Sequence, residues 1–281
     1  MAVQISVIIP VYRDWDRLAQ CLEALAAQSL AAGRFEIIVV NNEPEPHEVR
    51  QMPDNARLIH EPRPGSYAAR NAGVAAASGA FLAFTDSDCV PDSGWLEAGL
   101  EAMERHPGAR VTGPIDVFRD AGASYYAFVH DRHLEFQQRQ YVAAGACATA
   151  NLLVSRDVFD RVGAFRESFS GEDFAWNLRA QEAGIPIIFV EGVRVGHPAR
   201  RDLRAIFNKR RRKAGSRSQT PAVRFVLGRL RPPVRHFARL RRERVGWPET
   251  LTALGIHWCG SLVEIAEFGL IRLGVKEPNR S

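Results

Sequence analysis

The sequence predicts an α/β protein built on a mostly parallel sheet flanked by helices, and three observations carry that prediction. Residues 5–11 (ISVIIPV) and 35–40 (FEIIVV) are continuous apolar, β-branched runs, the pattern of strands covered on both faces. Between them Leu18, Leu22 and Leu25 recur at i, i+4 and i+7, which is one face of a helix. The alternation then returns, with an alanine-rich helical stretch at 66–78 and a third buried run, AFLAFT, at 80–85.

Each further element follows in order. The opening MAVQISVIIPVYRDW lacks a basic lead-in and meets Pro10 and charges at once, so it reads as a buried strand rather than a signal peptide. AFLAFT ends in the acidic turn Asp86-Ser87-Asp88, and Pro91 and Asp92 open a helix near Trp95. Beyond residue 109 the rhythm loosens into a short strand around Val111, an aromatic stretch at Tyr125, Tyr126 and Phe128, and the small-residue segment AAGACATAN at 143–151. A short helix at 155–161, a longer one at 172–183 ended by Gly184, and a last buried strand at 185–190 (IPIIFV) complete the alternation. The body ends near residue 200, giving a domain over 1–200 and a basic, helical extension over 201–281.

Composition narrows the functional classes. With 281 residues, 46% apolar and 25% charged, the chain can bury a large core and carry an appendage. Cys21, Cys89, Cys147 and Cys259 are scattered and form no C-x-x-C pair, so neither a disulfide framework nor a zinc or redox motif is expected, and the compartment is a reducing one. Neither a Walker loop nor G-x-G-x-x-G is present, which argues against an NTPase or dinucleotide binder. Residues 199–244 carry a charge of +15 and the remainder −10, so an acidic-leaning body is joined to a segment aimed at an anionic surface, membrane or nucleic acid.

Ligands of open parallel sheets sit outside the carboxyl ends of the strands. The polar residues at those ends are Tyr12, Asn41 and Asn42, Asp86 and Asp88, and His197 beyond the last strand. Two carboxylates one residue apart present oxygens to a hard divalent cation, which can neutralise a diphosphate leaving group; the alternative is a solvated turn or a helix cap. His197 could complete the coordination, or serve structure alone. Arg70, in YAARNAG, could reach a phosphate or make a surface ion pair. Glu172 and Asp173 open a helix, as a favourable cap or as a general base of raised pKa.

Together these pieces resemble the family 2 glycosyltransferases, with their GT-A nucleotide-diphospho-sugar transferase fold. SVIIPVYRDWDRLAQCLEAL looks like the family's first strand and helix, and FEIIVVNNEP like its second strand and loop. GSYAARNAG and FLAFTDSDCVPDSGWLE look like the Arg-Asn helix and the D-x-D strand. ATANLLVSRDVFDRVGAFRESFSGEDFAWNLRAQEAG looks like the acceptor-side segment with its Glu-Asp motif, and VRVGH supplies the terminal histidine. The resemblance covers residues 3–197. It implies that Pro10, Tyr12 and Asn41 line the nucleoside pocket, Arg70 faces the diphosphate, and Asp86 contacts ribose or metal. It further implies that Asp88 and His197 serve a Mn²⁺ or Mg²⁺ ion, that Asp173 deprotonates the acceptor hydroxyl, and that Glu172 and Trp176 lie on the acceptor side. The reaction implied is inverting transfer of a single sugar from a nucleoside-diphosphate sugar to a carbohydrate or lipid-linked acceptor. The family usually has Asp where this chain has Asn41, which loosens the preference for uracil: UDP leads, with guanine and thymidine donors open. The Q-x-x-R-W motif of processive members is missing.

In the extension, KRRRK at 209–213 precedes arginines interleaved with Phe225, Leu227, Leu230, Phe237 and Leu240, broken at Pro232 and Pro233. Such a segment suits anionic lipid at the inner face of the membrane, where each basic residue contributes about 1 kcal/mol; the alternative is a solvated linker. Leu251, Leu254, Trp258, Leu262, Ile265 and Leu273 share a helical face opposite His257, Ser261, Glu264 and Glu267. That pattern predicts an amphipathic rather than spanning helix, whose apolar face packs on the body, meets a second copy or lies in lipid. Competing readings are a nucleotidyltransferase, disfavoured by the first strand's lack of a glycine-rich basic loop, and a nucleotide-sugar, nucleic-acid or anionic-surface binder without turnover. No nucleic-acid reader motif supports the nucleic-acid form. The expected location is the cytoplasm, with peripheral placement on the membrane as the variant.

Overall fold

The computed structural model describes residues 2–47, 51–167, 171–217 and 220–277. They form two compact units. One contains the chain to Asp116, Gln138–Glu167 and Glu172–His197, and the other contains Val117–Gln137 and the chain from Pro198 onward.

The first part of the chain runs β1 (Ile5–Val11), α1 (Trp15–Ala26), β2 (Phe35–Asn41), β3 (Ala56–His60), α2 (Ser66–Ala76), β4 (Phe81–Phe84), β5 (Val90–Pro91), α3 (Trp95–Arg105), β6 (Arg110–Thr112) and β7 (Ile115–Phe118). After α4 (Tyr125–Leu134), which lies in the second unit, come α5 (Gln138–Ala143), β8 (Leu152–Ser155), α6 (Arg156–Val162), α7 (Glu172–Glu182), β9 (Ile187–Phe189) and β10 (Val195–Pro198).

Seven strands form one sheet in the order β3-β2-β1-β4-β8-β6-β9. β1 pairs parallel with β2 and β4, with Ile5 opposite both Phe35 and Phe81. β8 lies antiparallel between β4 and β6, and β9 returns parallel to β6. The fold is therefore the mixed α/β sheet, mostly parallel and flanked by helices, that the apolar runs predict. Ile5, Val7, Ile8 and Ile9 of β1 and Ile37–Val40 of β2 are fully buried, because helices cover both faces. α2 approaches so closely that a Cβ on Gly73 would stand 2.5 Å from the Ile8 side chain.

Polar residues inside the sheet are paired. Ser6 donates to Glu36 Oε1 at 2.6 Å, and Ser78 donates its backbone N–H at 2.7 Å and its hydroxyl at 2.6 Å to the same oxygen. Burial alone would push the Glu36 carboxyl up, but these bonds and Arg57 outweigh it and hold the pKa below the ordinary range.

Several elements differ from expectation, among them the last buried strand expected at 185–190, which is the half-buried β9 and is followed by β10. β3, with residues half-buried or exposed throughout, lacks the apolar run that marks the inner strands. Pro91 sits in β5 rather than opening α3, which starts at Trp95. The aromatic stretch at 125–128 becomes α4, capped by Ser124 Oγ accepting from Ala127 N–H.

The second unit is helical: α4, α8 (Leu203–Gly215), α9 (Ala222–Leu230), α10 (Val234–Arg242) and α11 (Trp247–Arg272). Pro232 and Pro233 separate α9 from α10. α11 packs on α4, α8, α9 and α10, with Val129, Leu240 and Ala253 forming one apolar cluster and Ala214, Phe225 and Phe268 another. Of the apolar stripe on α11, Leu254 and Ile265 pack against these clusters, but the carboxylates lie deeper. Glu264 is 0% exposed, and its carboxylate accepts from Arg210 at 3.0 Å and from Arg229, while Glu267 pairs with Lys276. Leu251 and Trp258 are instead 63% and 45% exposed. Cations from α8 and α9 make the carboxylate face the inward one. Burial, then the neighbouring Arg210 charge, lower the His257 pKa to about 3, and burial lowers that of Lys213 to about 8.

Candidate active site

The site grows from the carboxyl end of the sheet. β4 ends at Phe84, and the next residues turn tightly, Cys89 N–H donating to Asp86 C=O at 3.1 Å. β5 then pairs antiparallel with β10, with Val90 opposite Gly196 and Pro91 opposite Val195. That register carries His197 to the acidic turn, where its Nε2 lies 3.6 Å from Asp88 Oδ1. One donor atom from each of Asp86, Asp88, Cys89 and His197 falls within 4.8 Å of all the others.

Burial, and then the charges of Asp88 and Asp86, push the Cys89 thiol well above its ordinary pKa. The two carboxylates and the imidazole of this group are donors of a kind that suits Mn²⁺ or Mg²⁺. Cys21, its Sγ 3.8 Å from Asp86 C=O, is likewise pushed up by burial. Asp14 was not singled out by the sequence. Its pKa is raised first by burial and also by the charge of Asp88, which marks it as a neighbour of the cluster; its signal was its place just past β1.

Arg70 projects from α2 and is nearly buried, with Nη2 at 2.7 Å from Asp86 Oδ1. Its Nε has no hydrogen-bond partner among the described residues. The guanidinium thus stands beside the acidic turn with donor capacity to spare.

The residues expected to line the nucleoside pocket lie at the ends of β1 and β2. Pro10 is opposite Val40, and the Tyr12 ring is half-exposed with the Arg13 guanidinium 5.1 Å from its centroid. Asn41 is buried and shapes its own loop, donating to Glu45 C=O and accepting from Glu43 N–H, both at 2.9 Å. Asn42 donates to Glu61 and Arg63 carbonyls and accepts from Gly65 N–H. Trp15, absent from the sequence-based set, donates to Glu43 at 2.7 Å and stacks on His47 with centroids 3.8 Å apart.

Asp173 lies half-buried in the first turn of α7 and accepts from Phe174 N–H at 2.9 Å. Glu172 is engaged by Arg166 N–H at 2.6 Å and by Arg179 at 3.2 Å. Trp176 is placed differently from expectation. It is fully buried, donates to Gly163 C=O at 2.8 Å and packs with Phe159 and Phe165. One helical turn past Asp173, it faces the core and presents no surface to an acceptor. The structure thus gathers Asp86, Asp88, His197 and Arg70, and holds Asn41 and Glu172 in local networks of their own.

A mostly parallel sheet with an acidic turn at its carboxyl edge is the arrangement that the GT-A glycosyltransferases share, and the comparisons with known proteins decide the class. The description "Glycosyl transferase family 2" matches residues 6–163, and the chain belongs to that family. It is 36% identical over 205 residues to the glycosyltransferase AglE of Haloferax volcanii, covering 70% of this chain and 67% of that protein. Among solved structures, the mannosyltransferase PcManGT of Pyrobaculum calidifontis, in complex with GDP-Man and Mn²⁺, superposes with a TM-score of 0.56 at 16% identity over 99% of this chain and 77% of its own. S. aureus TarS 1–349, in complex with UDP-GlcNAc, gives 0.54 at 14% identity over 97% and 91%. The protein is a family 2 glycosyltransferase.

Proposed function

We propose that the enzyme transfers a single sugar, with inversion, from a nucleoside-diphosphate sugar to an acceptor hydroxyl in polysaccharide, glycolipid or other glycoconjugate synthesis. UDP is the leading nucleotide. The observation that carries this reading is the cluster of Asp86, Asp88 and His197, assembled by the β5–β10 pairing with Arg70 beside it. Asp88 and His197, with Asp86, would hold a divalent cation, which when bound neutralises charge on the departing diphosphate. Arg70 adds a fixed positive charge on the same side. Asp173 accepts the acceptor's hydroxyl proton as that oxygen bonds to the anomeric carbon and the bond from that carbon to the diphosphate breaks, its electron pair leaving with the diphosphate. Glu172, tied to Arg166 and Arg179, fixes the start of α7 and so the place of Asp173. The enzyme acts in the cytoplasm or at the inner face of the membrane.

Calorimetric titration of UDP, GDP and TDP, with and without Mn²⁺, on the intact chain and on Asp88→Ala tests the donor site. Metal-dependent binding of one nucleotide, lost in the variant, is expected. Equal binding by both proteins, or none by either, would sink the assignment.

A further inference from the structure

We infer that the helical C-terminal unit is an in-plane docking surface for an anionic phospholipid bilayer, with the outer faces of α9 and α11 seated at the acyl boundary. The inference rests on the reading of residues 201–281 as a surface-binding extension and is independent of donor chemistry.

The first observation is the inversion of α11. Trp247, Leu251, Trp258, Leu262 and Leu273 are all exposed, and their spacing of i, i+4, i+11, i+15 and i+26 keeps them on one stripe of a 3.6-residue helix. Gly255 and Ala266 fill the same stripe, so it is free of charge along a helix about 39 Å long. Val223, Leu227 and Leu230 of α9 make a second exposed stripe at i, i+4 and i+7. Two such stripes in one small unit exceed the singly scattered apolar residues of an ordinary surface.

The second observation is charge. Arg224, Arg231, Arg235, Arg242 and Arg244 are exposed on or beside α9 and α10. Trp247 carries the Arg241 guanidinium 4.3 Å from its ring centroid, pairing an apolar body with a cation as residues at headgroup level do.

These observations choose among occupants. A second copy would bring the same arginines and repel, whereas lipid phosphates complement them. By length and composition α11 could cross a membrane. Its inner face, however, holds Glu264 and Glu267 in ion pairs with Arg210, Arg229 and Lys276, and insertion would strip those pairs. Lying in the interface keeps the pairs and buries only the apolar stripe.

The test is co-sedimentation of the full chain with vesicles of phosphatidylcholine alone and with about 30 mol% phosphatidylglycerol. Preferential binding to the anionic vesicles by at least tenfold is expected, weakening as salt rises from about 0.1 M to about 0.5 M. Trp258→Asp with Leu262→Asp should lower it at least tenfold, and Arg231→Glu with Arg235→Glu about fivefold or more per arginine. Equal binding to both vesicles, or unchanged binding by the apolar double variant, would overturn the inference. So would a concentration-dependent dimer, in sedimentation velocity without lipid, that the apolar variant abolishes. Mn²⁺-dependent nucleotide binding in the same samples reads the donor site separately, so failure of one reading leaves the other standing.

Discussion

Replacing Arg70 by Gln separates two ways in which a guanidinium beside the acidic turn can act. Arg70 Nη2 lies 2.7 Å from Asp86 Oδ1, and Asp86 belongs to a group whose donor atoms fall within 4.8 Å of one another. A divalent cation held by Asp86 would lie beside this nearly buried guanidinium, and like charges that close repel by on the order of a kcal/mol or more. Removing it, and freeing Asp86, should tighten Mn²⁺ binding without nucleotide by roughly tenfold. UDP binding at saturating Mn²⁺ should move the other way, weakening roughly tenfold to a hundredfold, because a charged donor to phosphate contributes about 1.5–3 kcal/mol. Calorimetry of Mn²⁺ alone, then of UDP at fixed Mn²⁺, reads both changes, with thermal melting confirming the fold. Weaker Mn²⁺ binding in a variant that melts normally would refute the reasoning and make Arg70 the residue that holds Asp86 in its ligating pose.

Two further predictions follow from other parts of the chain. Asp173→Asn should lower kcat by roughly 10²–10⁴-fold, the usual contribution of a general base, and leave the nucleotide Kd unchanged; a variant with parental kcat would move the base elsewhere. His257 accepts from Arg210 at 2.9 Å, and its folded pKa of about 3 lies below the ordinary 6.5. The unfolded chain therefore takes up a proton that the folded chain refuses. Stability is retained above pH 6.5 and falls as pH drops from 6.5 toward 3, by at most about 1.4 kcal/mol per pH unit for this one group. His257→Gln keeps an acceptor for Arg210 and should flatten the dependence of Tm on pH over that window; parallel curves would contradict the assignment.

The parallel half of the sheet was legible because a strand covered on both faces leaves a continuous apolar run, as ISVIIPV, FEIIVV and AFLAFT do. β3 was not, since an edge strand needs no such run. The acidic turn could be read from its place after a buried strand, whereas the neighbourhood of His197 depends on the β5–β10 register, and two-residue pairings leave no periodicity. Trp176 misled because a tryptophan next to a Glu-Asp motif looks exposed in sequence, while its place one turn along α7 points it at Phe159 and Phe165. For α11 the pattern left packing, a second copy and lipid all open, because which face turns inward is a matter of energetics. Glu264 faces inward because α8 and α9 supply cations for it, and those cations lie far away in sequence.

The pairing of β5 with β10 also sets a time order. Asp88 and His197 are separated by over a hundred positions, and a one-residue slip of β10 would turn His197 to the opposite side. A nascent chain that has delivered the acidic turn but not yet β10 possesses the carboxylates without the imidazole. Within the sheet-bearing unit the cluster is consequently the last feature to close, and a synthesis product cut short before β10 carries the acidic turn without its imidazole.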